Sequence, residues 1–169
     1  PASAAATAAG SDMPLGIDVV EHGGSMTDET IALLKEKNVP IVTTFAPVVE
    51  QSQPEIARKF NIPEWKIAER QKAVADPKRY EGLVNAAKAG VTIAFGTDCG
   101  SPAVAHDVIA PELKFMVKVG VKKDAYDAIR SATAVAAGVN KLDKLTGTLE
   151  AGRLADVIVV DGDVLADLD

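Results

Sequence analysis

The sequence predicts an α/β protein built around a parallel sheet. Three short runs rich in β-branched residues, at 16–20, 41–46 and 91–95, are separated by longer stretches with helical periodicity. Buried parallel strands read as continuous apolar runs, and each needs a helical crossover to reach the next strand. Hydrophobic residues make up 47% of the chain and aromatic residues only 4%. This balance favours a core of small aliphatic side chains over an aromatic-rich binding module.

Length and charge narrow the class of protein further. The chain has 169 residues, which is long enough for one domain with its own core. Its net charge is −6 and its pI is near 5.0. A nucleic-acid-binding protein normally shows a basic face, and no apolar run approaches the ~20 residues that span a bilayer. We therefore expect no nucleic-acid or membrane partner. The single Cys99 excludes an internal disulfide and favours a reducing, cytoplasmic compartment.

The first 15 residues form a poorly specified N-terminal segment. Residues 1–12, PASAAATAAGSD, are rich in alanine and lack the basic and apolar regions of a secretory signal. A weak helix, a disordered arm and the result of a truncation all remain open at this point. We expect a frayed or remodelled helix.

The first two strands frame one helix. GIDVV at 16–20 ends at the glycine-rich turn Glu21-His22-Gly23-Gly24, which is typical of a buried strand that stops at a turn. Thr27 is a predicted N-cap, because acidic residues follow it in the first helical turn. The helix is expected to stop before Pro40, and the second strand, 41–46, is closed by a proline.

The long stretch after the second strand is predicted to be helical. One helix is expected to begin near Pro54 and another at Pro63, and the latter is interrupted at Asp76-Pro77. A further helix at 78–89 is expected to end at Gly90, a residue type favoured just beyond helix C-termini.

The last third of the chain continues the pattern and then changes it. The third strand, 91–95, is followed by helices at 107–119 and from near Lys123. An extended piece at 147–149 and a strand at 156–160 are expected next. Three βα units are too few to close a barrel of eight, so the sheet is either small and open or part of a larger barrel.

Two polar residues follow predicted strands at the positions where α/β proteins bind ligands. His22 follows the first strand and Asp98 follows the third, and the carboxyl ends of parallel strands share one rim. An imidazole and a carboxylate are suitable metal ligands and also a possible acid–base pair. The competing interpretations are a hydrogen-bonded rim histidine and a turn-forming aspartate.

Other polar residues give weaker signals. His106 lies in the loop before the helix at 107–119 and is either a solvent-exposed residue or a substrate contact. Cys99 reads as a small packed residue, and Lys122 as part of a solvated helix start. The GxSxG, P-loop, CxxC and HExxH motifs do not occur in the sequence.

Taken in order, several segments resemble the amidohydrolase superfamily over nearly the whole chain from residue 16. The wording is most similar to the branch of imidazolonepropionase-like amidohydrolases and Xaa-Pro dipeptidases. The segments are GIDVVEHG (16–23), TDETIALLKEKNVPIVTTFAP (27–47), GVTIAFGTDCG (90–100), HDVIAPELKFMVKVGV (106–121) and the tail at 131–168.

The resemblance implies a fold and a chemistry. Residues 16–146 would be about strands 6–8 of a (β/α)8 TIM-type barrel, and 147–169 would carry short terminal strands of a small β-sandwich subdomain. It implies that His22 binds a divalent metal, which is expected to be zinc as in the family, with one or two ions in the complete barrel. Asp98 would contact the metal and act as general base while a metal-bound water attacks an amide or dipeptide-like substrate. His106 would lie near that substrate.

The sequence departs from the family pattern in two respects. The family's HxH pair, lysine and further histidine belong to earlier strands, and the usual His-Gly is His106-Asp107 here. A catalytic zinc typically has three protein ligands, so we expect the chain alone to bind metal weakly and hydrolyse little. The alternatives are a noncatalytic fragment that self-associates through its sheet edges and a complete small domain that binds a ligand at the His22–Asp98 rim.

Overall fold

One small parallel sheet organises the protein. The structure is a computed structural model that describes residues 16–168, so the predicted N-terminal segment at 1–15 lies outside the described residues. The sheet contains β1 (Val20–His22), β2 (Ile41–Thr43) and β3 (Ile93–Phe95), in the order β1-β2-β3. Both pairings are parallel. The predicted α/β class with a parallel sheet is confirmed.

Helices connect and cover the strands. None of the helices in this described range combines the length and apolarity that a membrane span requires. They are α1 (Asp28–Glu36), α2 (Ala46–Gln51), α3 (Pro54–Lys59), α4 (Glu64–Ala75), a 3-10 helix (Pro77–Tyr80), α5 (Glu81–Ala89), α6 (Ile109–Lys118), α7 (Ala125–Ala132) and α8 (Ala134–Val139).

Local signals determine where several helices begin and end. Thr27 caps α1, because its hydroxyl accepts a hydrogen bond from the Thr30 N–H at 3.2 Å. Gly90 ends α5 with φ of 86°, in the left-handed region that glycine adopts without strain. Both features agree with the sequence prediction. Asp124 caps α7 through the N–H of Asp127 at 2.8 Å, one residue beyond the predicted start.

The core forms around the central strand. Ile41 of β2 is fully buried, and three aromatic rings pack beside it with centroids 5.3 to 5.6 Å apart. They belong to Phe45, Tyr80 and Phe115. Such tilted and edge-to-face pairs add about 0.5–1.5 kcal/mol each beyond the area that they bury. The aromatic cluster therefore anchors the backbone that directly follows β2.

The second strand is shorter than predicted. The sequence predicts 41–46, whereas β2 ends at Thr43 and α2 begins at Ala46. The N–H groups of Phe45 and Ala46 donate to the carboxylate of Glu112 instead of to a neighbouring strand. A side chain from a distant helix thus ends the strand.

The C-terminal part also differs from the prediction. Neither 147–149 nor 156–160 belongs to a sheet in the part of the chain that the structure describes. Ile158 is 86% exposed and Val159 is 96% exposed. A strand needs a neighbour for its backbone N–H and C=O groups, and no described residue pairs with this segment. The predicted terminal strands are therefore wrong for this structure, while the domain boundary after residue 146 stays a prediction.

Candidate active site

A cavity of about 740 Å³ opens at the carboxyl ends of the three strands. His22 at the end of β1, Thr44 directly after β2 and Asp98 beyond β3 all line it. The structure therefore brings His22 and Asp98 to one cavity, as the strand order predicted. This is the edge at which parallel α/β sheets bind ligands.

His22 is held by its neighbour strand. Its Nδ1 lies 2.6 Å from the hydroxyl oxygen of Thr44, and its backbone has φ of 67°. A left-handed backbone is uncommon for residues other than glycine and is often found at functional sites. Because Nδ1 is engaged, Nε2 is the ring nitrogen that remains for a ligand.

Asp98 shares this backbone feature. Its φ is 55°, and the carboxylate-bearing residue is exposed. The turn around it is fixed locally, since the Cys99 N–H donates to the Thr97 hydroxyl at 3.3 Å and the Ser101 N–H donates to the Asp98 carbonyl at 3.2 Å. An accessible carboxylate on a fixed turn can accept a proton or bind a cation.

The structure does not bring His106 to the same place. His106 is exposed and is not among the residues that line the cavity. Its loop is held by buried Ala103 and Val104 and by the hydrogen bond from the Val104 N–H to the Ser101 carbonyl at 2.9 Å. A substrate contact for His106 therefore stays a prediction.

Three cationic residues also line this cavity. Arg70 comes from α4, and Lys78 and Arg79 come from the 3-10 helix. The Arg70 Nε donates to the Gln51 side-chain oxygen at 3.0 Å, which fixes its position. The carboxylate of Asp76 caps the Lys78 N–H at 3.0 Å. Sequence reasoning read this stretch only as an interrupted helix and missed the charge.

Glu112 is a functional candidate that sequence reasoning also missed. The residue is fully buried, and its two carboxylate oxygens accept from the N–H groups of Phe45 at 2.8 Å and Ala46 at 2.5 Å. Burial raises the pKa of Glu112 to about 7, although the two backbone hydrogen bonds oppose that shift. The available signal was spacing, because Val108 and Met116 lie four residues away on the buried face.

The environment of Lys122 differs from the one that the sequence predicts. The sequence suggested a solvated helix start, but Lys122 is only 8% exposed and its Nζ donates to the Ile93 carbonyl in β3 at 2.8 Å. Burial lowers the pKa of the Lys122 ammonium. Like Glu112, this residue binds a distant backbone group, and periodicity does not reveal which group that is.

The side chains at this edge supply part of a metal-binding set. His22 and Asp98 supply an imidazole and a carboxylate, which suit zinc and related divalent ions. The described residues contain no group of three or more His, Cys, Asp or Glu side chains that could hold a metal ion. The two candidate ligands thus fit part of a metal site, and a typical catalytic zinc would need a further ligand.

A parallel sheet with a cavity at the carboxyl ends of its strands defines an α/β protein of the kind that binds small ligands at that edge. The model of the amidohydrolase family matches residues 11–169, and the chain belongs to this family. The resemblance read from the sequence is confirmed. Ochratoxinase from Aspergillus niger is 35% identical over 158 residues, which cover 90% of this chain and 30% of that relative.

Solved structures agree with this assignment. A prolidase in complex with N-methylphosphonate-L-proline has a TM-score of 0.76 and 26% identity, over 99% of this chain and 38% of that one. A Xaa-Pro dipeptidase with bound methionine in its active site has a TM-score of 0.66 and 31% identity, over 91% of this chain and 36% of that one. The chain therefore spans about a third of the length of these relatives.

Proposed function

We propose that this chain is the part of a metal-dependent amidohydrolase that carries a metal-ligating histidine, His22, and the general base, Asp98. One observation carries the proposal: both side chains line a single cavity at the carboxyl edge of the sheet in a chain of this family. In this proposal residues 16–146 correspond to about strands 6–8 of a (β/α)8 barrel.

The residues would divide the chemistry between them. A divalent metal, zinc in our proposal, would supply an acidified water and a Lewis acid for the amide carbonyl. His22 would hold the metal through Nε2 while Nδ1 stays hydrogen-bonded to Thr44. Asp98 would accept a proton from the attacking water and deliver it to the leaving amine nitrogen.

The proposed substrate is an amide or dipeptide-like molecule that carries a carboxylate. Prolidase and Xaa-Pro dipeptidase are among the similar structures, which supports this class, although cyclic amides also fit the family. Arg70, Lys78 and Arg79 line the same cavity as His22 and Asp98. Guanidinium groups bind carboxylates in two-point geometry, so these cationic residues would hold the carboxylate of the substrate and orient it in the cavity.

The isolated chain is proposed to bind metal weakly and to hydrolyse little, because two ligands are fewer than a catalytic zinc normally has. Zn²⁺ titration of the chain by calorimetry would show weak binding that His22→Ala removes. His106→Ala is the matched control and should leave the titration unchanged. A cytoplasmic location remains a proposal that depends on the single free Cys99.

Hydrolysis is the direct test. When the chain is supplied with the upstream strands of the barrel, we expect metal-dependent cleavage of a dipeptide, and Asp98→Asn should lower kcat at least about 100-fold. Asp161→Asn, a change at an exposed residue outside the cavity, is the control and should be neutral. Full activity after Asp98→Asn would remove the proposed mechanism.

A second candidate is self-association without catalysis. The exposed apolar side chains at 157–160 and the edge strands β1 and β3 favour it. Light scattering at micromolar concentration would distinguish the two, because a homo-oligomer should form without metal or substrate. A stable monomer under these conditions would exclude this candidate.

A further inference from the structure

A continuous set of contacts runs from the protein interior to His22. The hydroxyl of Thr44 lies 2.6 Å from His22 Nδ1. Phe45 and Ala46, the two residues that follow Thr44, donate their backbone N–H groups to Glu112. The hydroxyl that contacts the imidazole therefore belongs to a residue whose C-terminal neighbours are fixed by a buried carboxylate.

We propose that Glu112 and Thr44 are positioning residues that set the orientation and the tautomer of the His22 imidazole. Thr44 accepts the hydrogen bond from the Nδ1–H group, so that the lone pair of Nε2 is presented to the cavity. Which ring nitrogen of a histidine is free for a metal is set by the hydrogen bond that the other nitrogen makes.

The sheet register explains why this contact reaches across two strands. His22 pairs with Thr43 in the parallel sheet, so Thr44 is the first residue beyond the pairing. The sheet pairing therefore no longer fixes the backbone at this position. Glu112 of α6 fixes the backbone here instead, since it accepts hydrogen bonds from the next two N–H groups, those of Phe45 at 2.8 Å and Ala46 at 2.5 Å.

The burial of Glu112 supports a specific purpose. A carboxylate is costly to bury, and an apolar side chain of similar size would fill the same space without that cost. Two acceptor oxygens on one rigid side chain can fix two consecutive N–H groups, which an apolar residue cannot do. A packing residue alone would not need this chemistry.

A merely structural role for Glu112 makes a different prediction. If Glu112 served only to stabilise the start of the short helix α2, its loss would lower the free energy of unfolding without a specific effect on the ring of His22. The tautomer of His22 separates the two interpretations. The sequence contains two histidines, His22 and His106, so the exposed His106 serves as an internal reference.

The experiment is imidazole ¹⁵N NMR of the metal-free chain with three single variants. In the native chain we expect the His22 resonances of a ring protonated at Nδ1. Thr44→Val and Glu112→Gln should shift His22 towards the tautomer mixture that His106 shows. Lys122→Met is the control, because it removes another buried strand contact without touching Thr44, and it should leave His22 unchanged.

A second readout uses Zn²⁺ alone as the probe. The His22 resonances are followed during a Zn²⁺ titration. The affinity for Zn²⁺ should be lower than in the native chain by about 10-fold or more in Thr44→Val and in Glu112→Gln. Thr44→Ser keeps the hydroxyl and should restore both the tautomer and the affinity. If Glu112→Gln does not fold, as judged by circular dichroism, Glu112→Asp keeps the charge with a shorter reach and should give the same shift.

Defined results would overturn the inference. They are a native His22 protonated at Nε2, variants with an unchanged His22 tautomer, or an equal shift in Lys122→Met. The inference rests on the proposed function in one respect, since metal binding is the reason for ordering the His22 ring. Its main test needs neither metal nor hydrolysis. A failed tautomer prediction would leave Asp98-dependent hydrolysis standing, and absent hydrolysis would leave the positioning of His22 intact.

Discussion

Two segments of similar composition have opposite fates in this fold. The second strand and its continuation, IVTTFA at 41–46, and the tail segment DVIVV at 156–160 are both rich in β-branched residues. Ile41 is fully buried between two neighbouring strands, whereas Ile158 is 86% exposed and unpaired within the described residues. Composition indicates the capacity to form a strand, and neighbours decide whether the strand forms.

The largest expected difference is in stability. Ile41→Ala should lower the free energy of unfolding by about 2–5 kcal/mol, because it opens a cavity in the packed centre of the sheet. Ile158→Ala should change it by less than about 0.5 kcal/mol, as for other exposed positions. Urea denaturation followed by circular dichroism measures both. Equal losses would mean that the tail packs against the core in solution.

The second difference concerns pH. The folded-state pKa of Glu112, about 7, lies above its ordinary value of 4.5, so the folded state retains a proton that the unfolded state has released. Stability should therefore fall by up to about 3 kcal/mol as the pH rises from 4.5 to 7, with no further change from this group above that. Denaturation at pH 5 and pH 8 measures the slope.

Two variants isolate the contribution of Glu112 to that slope. Glu112→Gln cannot titrate and should flatten the pH dependence between 4.5 and 7. Glu81→Gln, at an exposed position of α5, should leave it as in the native chain. A slope unchanged by Glu112→Gln would assign the pH dependence to other groups, such as the buried carboxylate of Glu50, whose pKa is also raised by burial.

The third prediction concerns the three cationic residues that line the cavity. With the upstream strands supplied, Arg70→Met should raise KM for a dipeptide about 10- to 100-fold at similar kcat, because a charge-assisted hydrogen bond is worth about 1.5–3 kcal/mol. A dipeptide amide without the carboxylate should be insensitive. Arg58→Met is the matched control, since Arg58 pairs with Glu64 outside the cavity. Equal effects on both substrates would contradict carboxylate recognition.

The smallest effect compares two threonines. Thr27→Ala removes the N-cap of α1 and should cost about 1 kcal/mol. Thr148 lies in the tail, where its hydroxyl forms a hydrogen bond with the carboxylate of Glu150 in the adjacent turn at 2.8 Å. Thr148→Ala should change the free energy of unfolding by less than about 0.5 kcal/mol. Thermal unfolding of both variants tests whether the tail contributes to the cooperative unit.

Features that depend on local interactions were predictable from the sequence. The cap at Thr27, the end of α5 at Gly90 and the approximate strand positions follow from residues within a few positions of one another. The placement of His22 and Asp98 at one edge was predictable as well, because parallel topology carries successive strand ends to the same side.

Features that depend on distant contacts were not predictable in this way. Glu112 is 66 residues from the Ala46 N–H that it accepts from, and Lys122 reaches a carbonyl 29 residues away. Periodicity reports which face of an element is apolar, but it does not report which distant backbone group a buried polar residue will meet. The exposed tail at 156–160 follows from the same rule, since local sequence does not specify a missing neighbour.

The left-handed backbone at His22 and Asp98 restricts which residues could replace them. With φ of 67° and 55°, both positions accept glycine freely and asparagine readily, while β-branched residues are strongly disfavoured. Asparagine is therefore the substitution that removes the imidazole or the carboxylate with the least disturbance of the turn. A substitution to valine or isoleucine at either position would distort the turn and so change the shape of the cavity edge, in addition to removing the functional group.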